Sequence, residues 1–180
     1  MQLNDTKNSF GWVSIALHWV VAGFIIALYI ISQGMDGGTE DEERAARLLH
    51  VSIGAIGFIF IAARVFWRIK QGEKPLPPAS LIITILSRWV PRLLLVSVTF
   101  LIISGPLQVW SNGYDIRVFD WFVIPTPMAK TEWLHEFAEE VHEISSTAIF
   151  YLFILHVLGG LKHLFIDKDG IMQRMLYPKK

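Results

Sequence analysis

The chain has 180 residues, 53% of them hydrophobic, with a mean hydropathy of +0.45 and a formal net charge of zero. This composition is too apolar for an ordinary soluble domain, so the expected partner is membrane lipid and no nucleic acid partner is expected. The absence of cysteine excludes disulfides, thiolate metal sites and iron–sulfur ligation by this chain.

Four stretches reach the length of about 20 apolar residues that a membrane-spanning helix needs. They cover, approximately, residues 11–32, 48–67, 90–110 and 144–166. The first carries no formal charge and lies near the amino terminus, where a signal peptide would lie. Its apolar region is too long for a cleavable signal peptide, and no A-x-A site follows it. We therefore predict an all-α membrane protein, a four-helix transmembrane bundle formed by a single domain over residues 1–180.

The connections between the helices are predicted from turn residues, prolines and charge. Residues 36–39 form a turn-rich loop, and the acidic run after it begins the second helix outside the membrane. Three prolines within residues 71–78 break the chain between the second and third helices. The longest connection, residues 111–131, holds an aromatic run beside two prolines, which is typical of an interfacial or re-entrant segment. Residues 131–143 extend the fourth helix above the bilayer, with Thr131 as its cap.

The orientation follows from lysine and arginine. Of the 16 Lys and Arg residues, 12 fall on the side of the two termini and of the connection between the second and third helices, and four fall on the opposite side. The side with more Lys and Arg is normally cytoplasmic. Both termini are therefore predicted to be cytoplasmic.

Four histidines lie within or at the edges of the predicted spans. His142 and His156 are 14 residues apart on the fourth helix. At about 100° and 1.5 Å per residue they share one face and lie about 21 Å apart along the axis. His50 falls at the outer end of the second helix and His18 in the inner half of the first. Depth therefore pairs His50 with His142 and His18 with His156.

Two histidines at one depth suit a haem, because the porphyrin supplies the remaining four nitrogens. Zinc or copper is the competing interpretation, but zinc usually takes four protein ligands, and the spans offer no inward acid to complete such a shell. Small residues lie on the face of each histidine, where a macrocycle needs room, although small residues also allow close helix packing. They are Ser14, Ala22, Gly54, Gly57, Ser145, Ser146, Gly159 and Gly160. The sequence therefore predicts two bis-histidine haems.

The remaining inward candidates have less specific patterns. Arg64 and Arg68 lie one turn apart at the inner end of the second helix, where anchoring to the membrane surface is the favoured interpretation and a salt bridge to inner haem propionates is the alternative. His135 and His163 each lie seven residues from a predicted ligand. Both are expected to be interfacial, in contact with solvent or a propionate, rather than ligands.

The same residues resemble the bacterial di-haem cytochrome b561 family over nearly the whole chain. The matching pieces are "LHWVVAGF" around His18, "LLHVSIGAIGF" around His50, "ARVFWRIKQGEKPLPP", "VFDWFVIPTP", and "VHEISSTAIFYLFILHVLGGLKHLF" around His142 and His156. The resemblance implies an inner-membrane protein with two b haems whose ligands are these four histidines. It also implies electron transfer between quinone and the periplasmic side.

Several functions remain open at this point. One branch of the family oxidises superoxide and reduces ubiquinone, which would make the chain a superoxide:ubiquinone oxidoreductase rather than a simple electron carrier. The outer surface is net negative, however, and repels an anion unless a pocket around Lys130 or Arg117 overrides it. The alternatives are a haem-containing anchor subunit that relays electrons for a dehydrogenase or a periplasmic redox partner protein, and a non-redox metal-ion carrier.

Overall fold

The computed structural model describes residues 2–6, 9–72 and 80–178. Its four long helices are α1 (Trp12–Ser32), α2 (Glu40–Gln71), α3 (Leu81–Ser111) and α4 (Glu132–Lys162). A two-stranded antiparallel hairpin, β1 (Ile116–Val118) and β2 (Phe122–Ile124), lies between α3 and α4. After α4 the chain forms a π-helical turn, His163–Asp167, and a 3-10 turn, Met172–Met175.

All four helices are long and apolar enough to cross a membrane, which confirms the predicted four-helix transmembrane fold. Large apolar side chains face outward along each helix, as expected for contact with lipid rather than water. Examples are Ile30, Ile59, Phe66, Ile103 and Ile154. The inner layer takes one residue from each helix, namely Val21, Ile61, Val98 and Ile149.

α2 and α4 begin in polar turns before their apolar spans, as predicted, whereas α3 begins at Leu81, before its predicted span and in a mostly apolar stretch. α2 begins at Glu40, where Thr39 and Glu42 form a capping box and four acids occupy the first turn. The predicted extension of α4 exists from Glu132. Thr131 precedes it, but its hydroxyl donates to the Ala129 carbonyl, so the expected side-chain cap is wrong. The predicted proline-containing linker lies, from residue 73, outside the described residues.

The helices do not pack equally on one another. α1 packs closely on α2, α2 packs on α3, and the closest pair is α3 with α4. Within the described part of the chain, the backbone of α4 lies farther from those of α1 and α2, and side chains such as Tyr29 and Phe150, stacked with ring centroids 5.3 Å apart, make the contact. The bundle therefore has a separation between α4 and the α1–α2 pair.

The connection between α3 and α4 is anchored on α2 through its hairpin. Ile116 and Val118 of β1 are buried, whereas Trp121 and Phe122 are exposed. Ser52 of α2 is fully buried, and its hydroxyl oxygen accepts a hydrogen bond of 2.8 Å from the Phe119 N–H. The segment that the sequence predicts as interfacial or re-entrant is thus a hairpin with one face packed on the protein and one aromatic face exposed.

Candidate functional site

The structure brings the four span histidines together as two pairs. His18 of α1 faces His156 of α4, with ring centroids 6.0 Å apart and ring planes at 63°. His50 of α2 faces His142 of α4, with ring centroids 6.4 Å apart and ring planes at 71°. Each pair spans the separation between α4 and the α1–α2 pair.

These distances fit two imidazoles on opposite sides of one metal ion. A histidine nitrogen binds a first-row metal at about 2 Å, and the ring centroid lies roughly 1 Å behind that nitrogen, so the two centroids should be about 6 Å apart. Both pairs therefore have the spacing that an iron ion between them requires.

Glycines next to the pairs differ in what faces them. A Cβ built on Gly159 of α4 would meet no heavy atom within 4 Å, and one on Gly54 would meet only Leu28 at 3.9 Å. A Cβ on Gly57 would lie 3.0 Å from the Phe24 ring. Gly57 thus serves close packing of α1 on α2, whereas Gly54 and Gly159 leave space beside the histidines.

The polar atoms of the outer pair also fit a metal-bound group. Nδ1 of His50 is buried and has no hydrogen-bond partner among the described residues. A buried polar atom without a partner is costly, and a metal ion bound at Nδ1 would satisfy it. Nδ1 of His142 is instead 3.1 Å from Oγ of Ser104 in α3. The residues present therefore fit the predicted haem sites.

The two arginines at the inner end of α2 have different surroundings. Arg64 donates to the Ser14 carbonyl at 3.2 Å, one turn before His18 in α1. It lies close enough to His18 and His156 to interact electrostatically with both. Arg68 instead donates to the Gly72 carbonyl at the end of its own helix and lies 5.9 Å from the centre of the Phe10 ring. Of the two, Arg64 is the one placed at the inner histidine pair.

His135 ties α4 to the end of α3. Its Nδ1 lies 2.9 Å from the Gln108 carbonyl and its Nε2 lies 4.0 Å from Glu139. Because the side chain is only partly exposed, it serves as a contact between two helices.

His163 is buried, at 8% exposure, so of the two expected contacts, solvent or a propionate, the structure contradicts the first. The chain turns back after α4, and Nδ1 of His163 lies 2.7 Å from Asp169 and 3.3 Å from Asp167. Ser87 contacts its Nε2 at 3.4 Å. Burial raises the pKa of Asp169, but hydrogen bonds from Ile171 and His163 outweigh that effect and lower it. These groups are already paired, and Lys162 neutralises Asp167.

Two serines beside the outer pair were missed by sequence reasoning. Ser104 contacts the ring of His142, and Ser52 holds the hairpin two residues from His50. Both lie among the small residues of apolar helices, and α3 contributes no histidine. The sequence feature that could have indicated Ser104 is the pair of adjacent small residues, Ser104 and Gly105, because small residues permit a close approach between helices.

The chain is similar to known proteins over almost its whole length. A family model described as prokaryotic cytochrome b561 matches residues 9–178. Cytochrome b561 homolog 2 of Escherichia coli K12 is 33% identical over 183 aligned residues, covering 98% of this chain and 95% of that protein. Cytochrome b562 of Cereibacter sphaeroides is 25% identical over 175 aligned residues, covering 93% of this chain and 94% of its own.

The family match extends over all four helices, and the E. coli relative is similar over almost its full length. Four membrane-spanning helices, together with this family, indicate a multi-pass protein of the bacterial inner membrane that transfers electrons through haem b. The chain therefore belongs to the prokaryotic cytochrome b561 family.

Proposed function

We propose that the chain binds two b haems and conducts electrons between them across the membrane. His18 and His156 would hold the inner haem, and His50 and His142 the outer one. The observation that carries this proposal is the pair of ring-centroid distances, 6.0 and 6.4 Å, across the separation beside α4. Because α4 supplies one ligand to each site, it links the two levels along one helix.

The residues of this chain determine what these sites do. A bound haem supplies one-electron chemistry at its iron. Two histidines would hold each haem, which would leave electron exchange with a substrate to a haem edge. The surrounding apolar side chains exclude water, and the helices hold the ligands at two fixed depths.

Arg64 is the proposed partner of a propionate at the inner site. Its guanidinium is anchored on the Ser14 carbonyl and is close to both inner histidines. A guanidinium pairs well with a carboxylate through two parallel hydrogen bonds. Its positive charge would also favour the reduced form of the inner site. Arg68 is a weaker candidate, because it donates to the Gly72 carbonyl at the end of its own helix.

The proposed donor acts at the outer side and the proposed acceptor is the quinone pool, ubiquinone in particular. Superoxide is the favoured small donor to test first. The acidic outer surface opposes an anion, but Arg117 lies on β1, and its carbonyl is held by Ser52, two residues from His50. Arg117 is exposed on β1, so its positive charge could attract an anion locally on the outer surface.

The second candidate function is a haem subunit that relays electrons for a dehydrogenase or another redox partner protein. The observation in its favour is the exposed aromatic surface of the outer segments, which includes Trp121, Phe122, Trp133 and Phe137. Membership in a cytochrome family sets aside the non-redox metal-ion carrier.

The decisive test of haem content is a pyridine haemochrome assay on detergent-purified protein, together with oxidised and reduced visible spectra. Two haems b per chain are expected, with a sharp α band on reduction. One haem or none per polypeptide would contradict the proposal.

Stopped-flow reduction then separates the candidate donors. Superoxide should reduce the haems rapidly, and Arg117→Gln should slow this step while leaving reduction by dithionite unchanged. If neither superoxide nor quinol reduces the purified protein at a useful rate, the partner-subunit function becomes the better account.

A further inference from the structure

The ring of His142 is held by α3 as well as by its own helix. Ser104 of α3 is 2% exposed, and its Oγ lies 3.1 Å from Nδ1 of His142. The next residue, Gly105, faces the same ring, since a Cβ built on it would lie 3.4 Å from Cε1 of His142. The Ser104–Gly105 step therefore brings α3 close enough for a direct hydrogen bond to the imidazole.

The direction of this hydrogen bond follows from the other contacts of the hydroxyl. Ser104 donates its single proton to the Phe100 carbonyl, 2.8 Å away in the same helix. Its oxygen is left as an acceptor. The Leu101 carbonyl, 3.5 Å from the same Oγ, is likewise only an acceptor. Since neither group donates, Nδ1 of neutral His142 carries the proton and Nε2 keeps its lone pair.

We propose that Ser104 is a positioning residue of the outer haem site, which holds His142 in the tautomer that binds iron through Nε2. This inference rests on the proposed function, in which His142 is an axial ligand. A hydrogen bond accepted from the second N–H of a metal-bound histidine orients the ring and raises its basicity. A more basic ligand stabilises ferric over ferrous iron. Ser104 therefore lowers the reduction potential of the outer haem.

The test is a redox titration of the purified holoprotein that resolves the two haem components, with the outer one identified as the component lost in His142→Ala. Ser104→Ala should shift the ferric–ferrous equilibrium of the outer haem towards the reduced form by about three- to tenfold. A tenfold shift equals 59 mV for one electron. The inner component should stay unchanged. The electron paramagnetic resonance signal of the outer ferric haem should change as well, because the ring orientation is no longer held.

Two further variants separate the hydrogen bond from helix packing. Ser104→Thr keeps the hydroxyl and should restore the potential of the wild type. Ser111→Ala is the matched control, because Ser111 is fully buried in α3 and donates to the Leu107 carbonyl at 2.6 Å, as Ser104 does to Phe100. It should leave both components unchanged.

Loss of the outer haem in Ser104→Ala with retention in Ser104→Thr supports the proposal. The proposal is overturned if the potential of the outer haem is unchanged in Ser104→Ala, or if Ser111→Ala shifts it equally. It is also overturned if Ser104→Ala and Ser104→Thr behave identically. If the wild type itself holds fewer than two haems, it is the proposed function that fails. If the wild type holds two haems and only the shift is missing, the role of Ser104 fails alone.

Discussion

Pairs of histidine substitutions distinguish two separate haem sites from any other arrangement of the four ligands. His50 and His142 face each other at 6.4 Å, and His18 and His156 at 6.0 Å. The two levels are about 21 Å apart by helix rise, so a histidine of one pair cannot reach an iron held by the other. We expect each single alanine variant to lose one of two haems.

The double variants make the prediction quantitative. His50→Ala with His142→Ala removes both ligands of one site, so it should still retain one haem per chain, no fewer than either single variant. His50→Ala with His156→Ala removes one ligand from each site and should retain none. Both proteins lack two histidines, so a general loss of stability would affect them alike, and the difference between them reports the pairing.

The assay combines haem content by pyridine haemochrome with a redox titration of each purified variant. His50→Ala and His142→Ala should lose the same redox component, and His18→Ala and His156→Ala the other. If His50→Ala and His142→Ala removed different components, or if both double variants retained the same haem content, the pairing by depth would be refuted.

Three further predictions concern orientation, charge and stability. A reporter fused to the carboxy terminus should behave as cytoplasmic, and activity of a reporter that works only in the periplasm would contradict the orientation. Arg64→Gln should lower the reduction potential of the inner haem, with its ferric–ferrous equilibrium shifted about tenfold towards the ferric form. Arg68→Gln should have a smaller effect on the same potential. An equal effect of both would show that Arg64 has no special place at the inner site. Ser52→Ala leaves the Phe119 N–H without its acceptor and should destabilise the folded protein by about 1–3 kcal/mol, with faster proteolysis of the hairpin. Unchanged stability and proteolysis would mean that this hydrogen bond does not anchor the hairpin.

The sequence by itself determined the properties that follow from one segment at a time. Length and hydropathy predicted four membrane-spanning helices, since about 20 apolar residues are needed to cross a bilayer. The 14-residue spacing of His142 and His156 placed both on one face of a single helix, because helical periodicity is constant. The acidic run after residue 39 and the polar residues from 131 also predicted where α2 and α4 begin, whereas α3 begins at Leu81, well before its predicted span.

Only the tertiary structure decided which side chains from different helices meet. Arg64 and Arg68 look equivalent in the sequence, yet one contacts the Ser14 carbonyl and the other the end of its own helix. Ser104 and Ser111 are both buried serines in α3, yet only Ser104 lies against the ring of His142. Such contacts depend on the rotation and axial offset of each helix against its neighbours, which are set by side-chain packing over the whole bundle and not by the periodicity of any one segment.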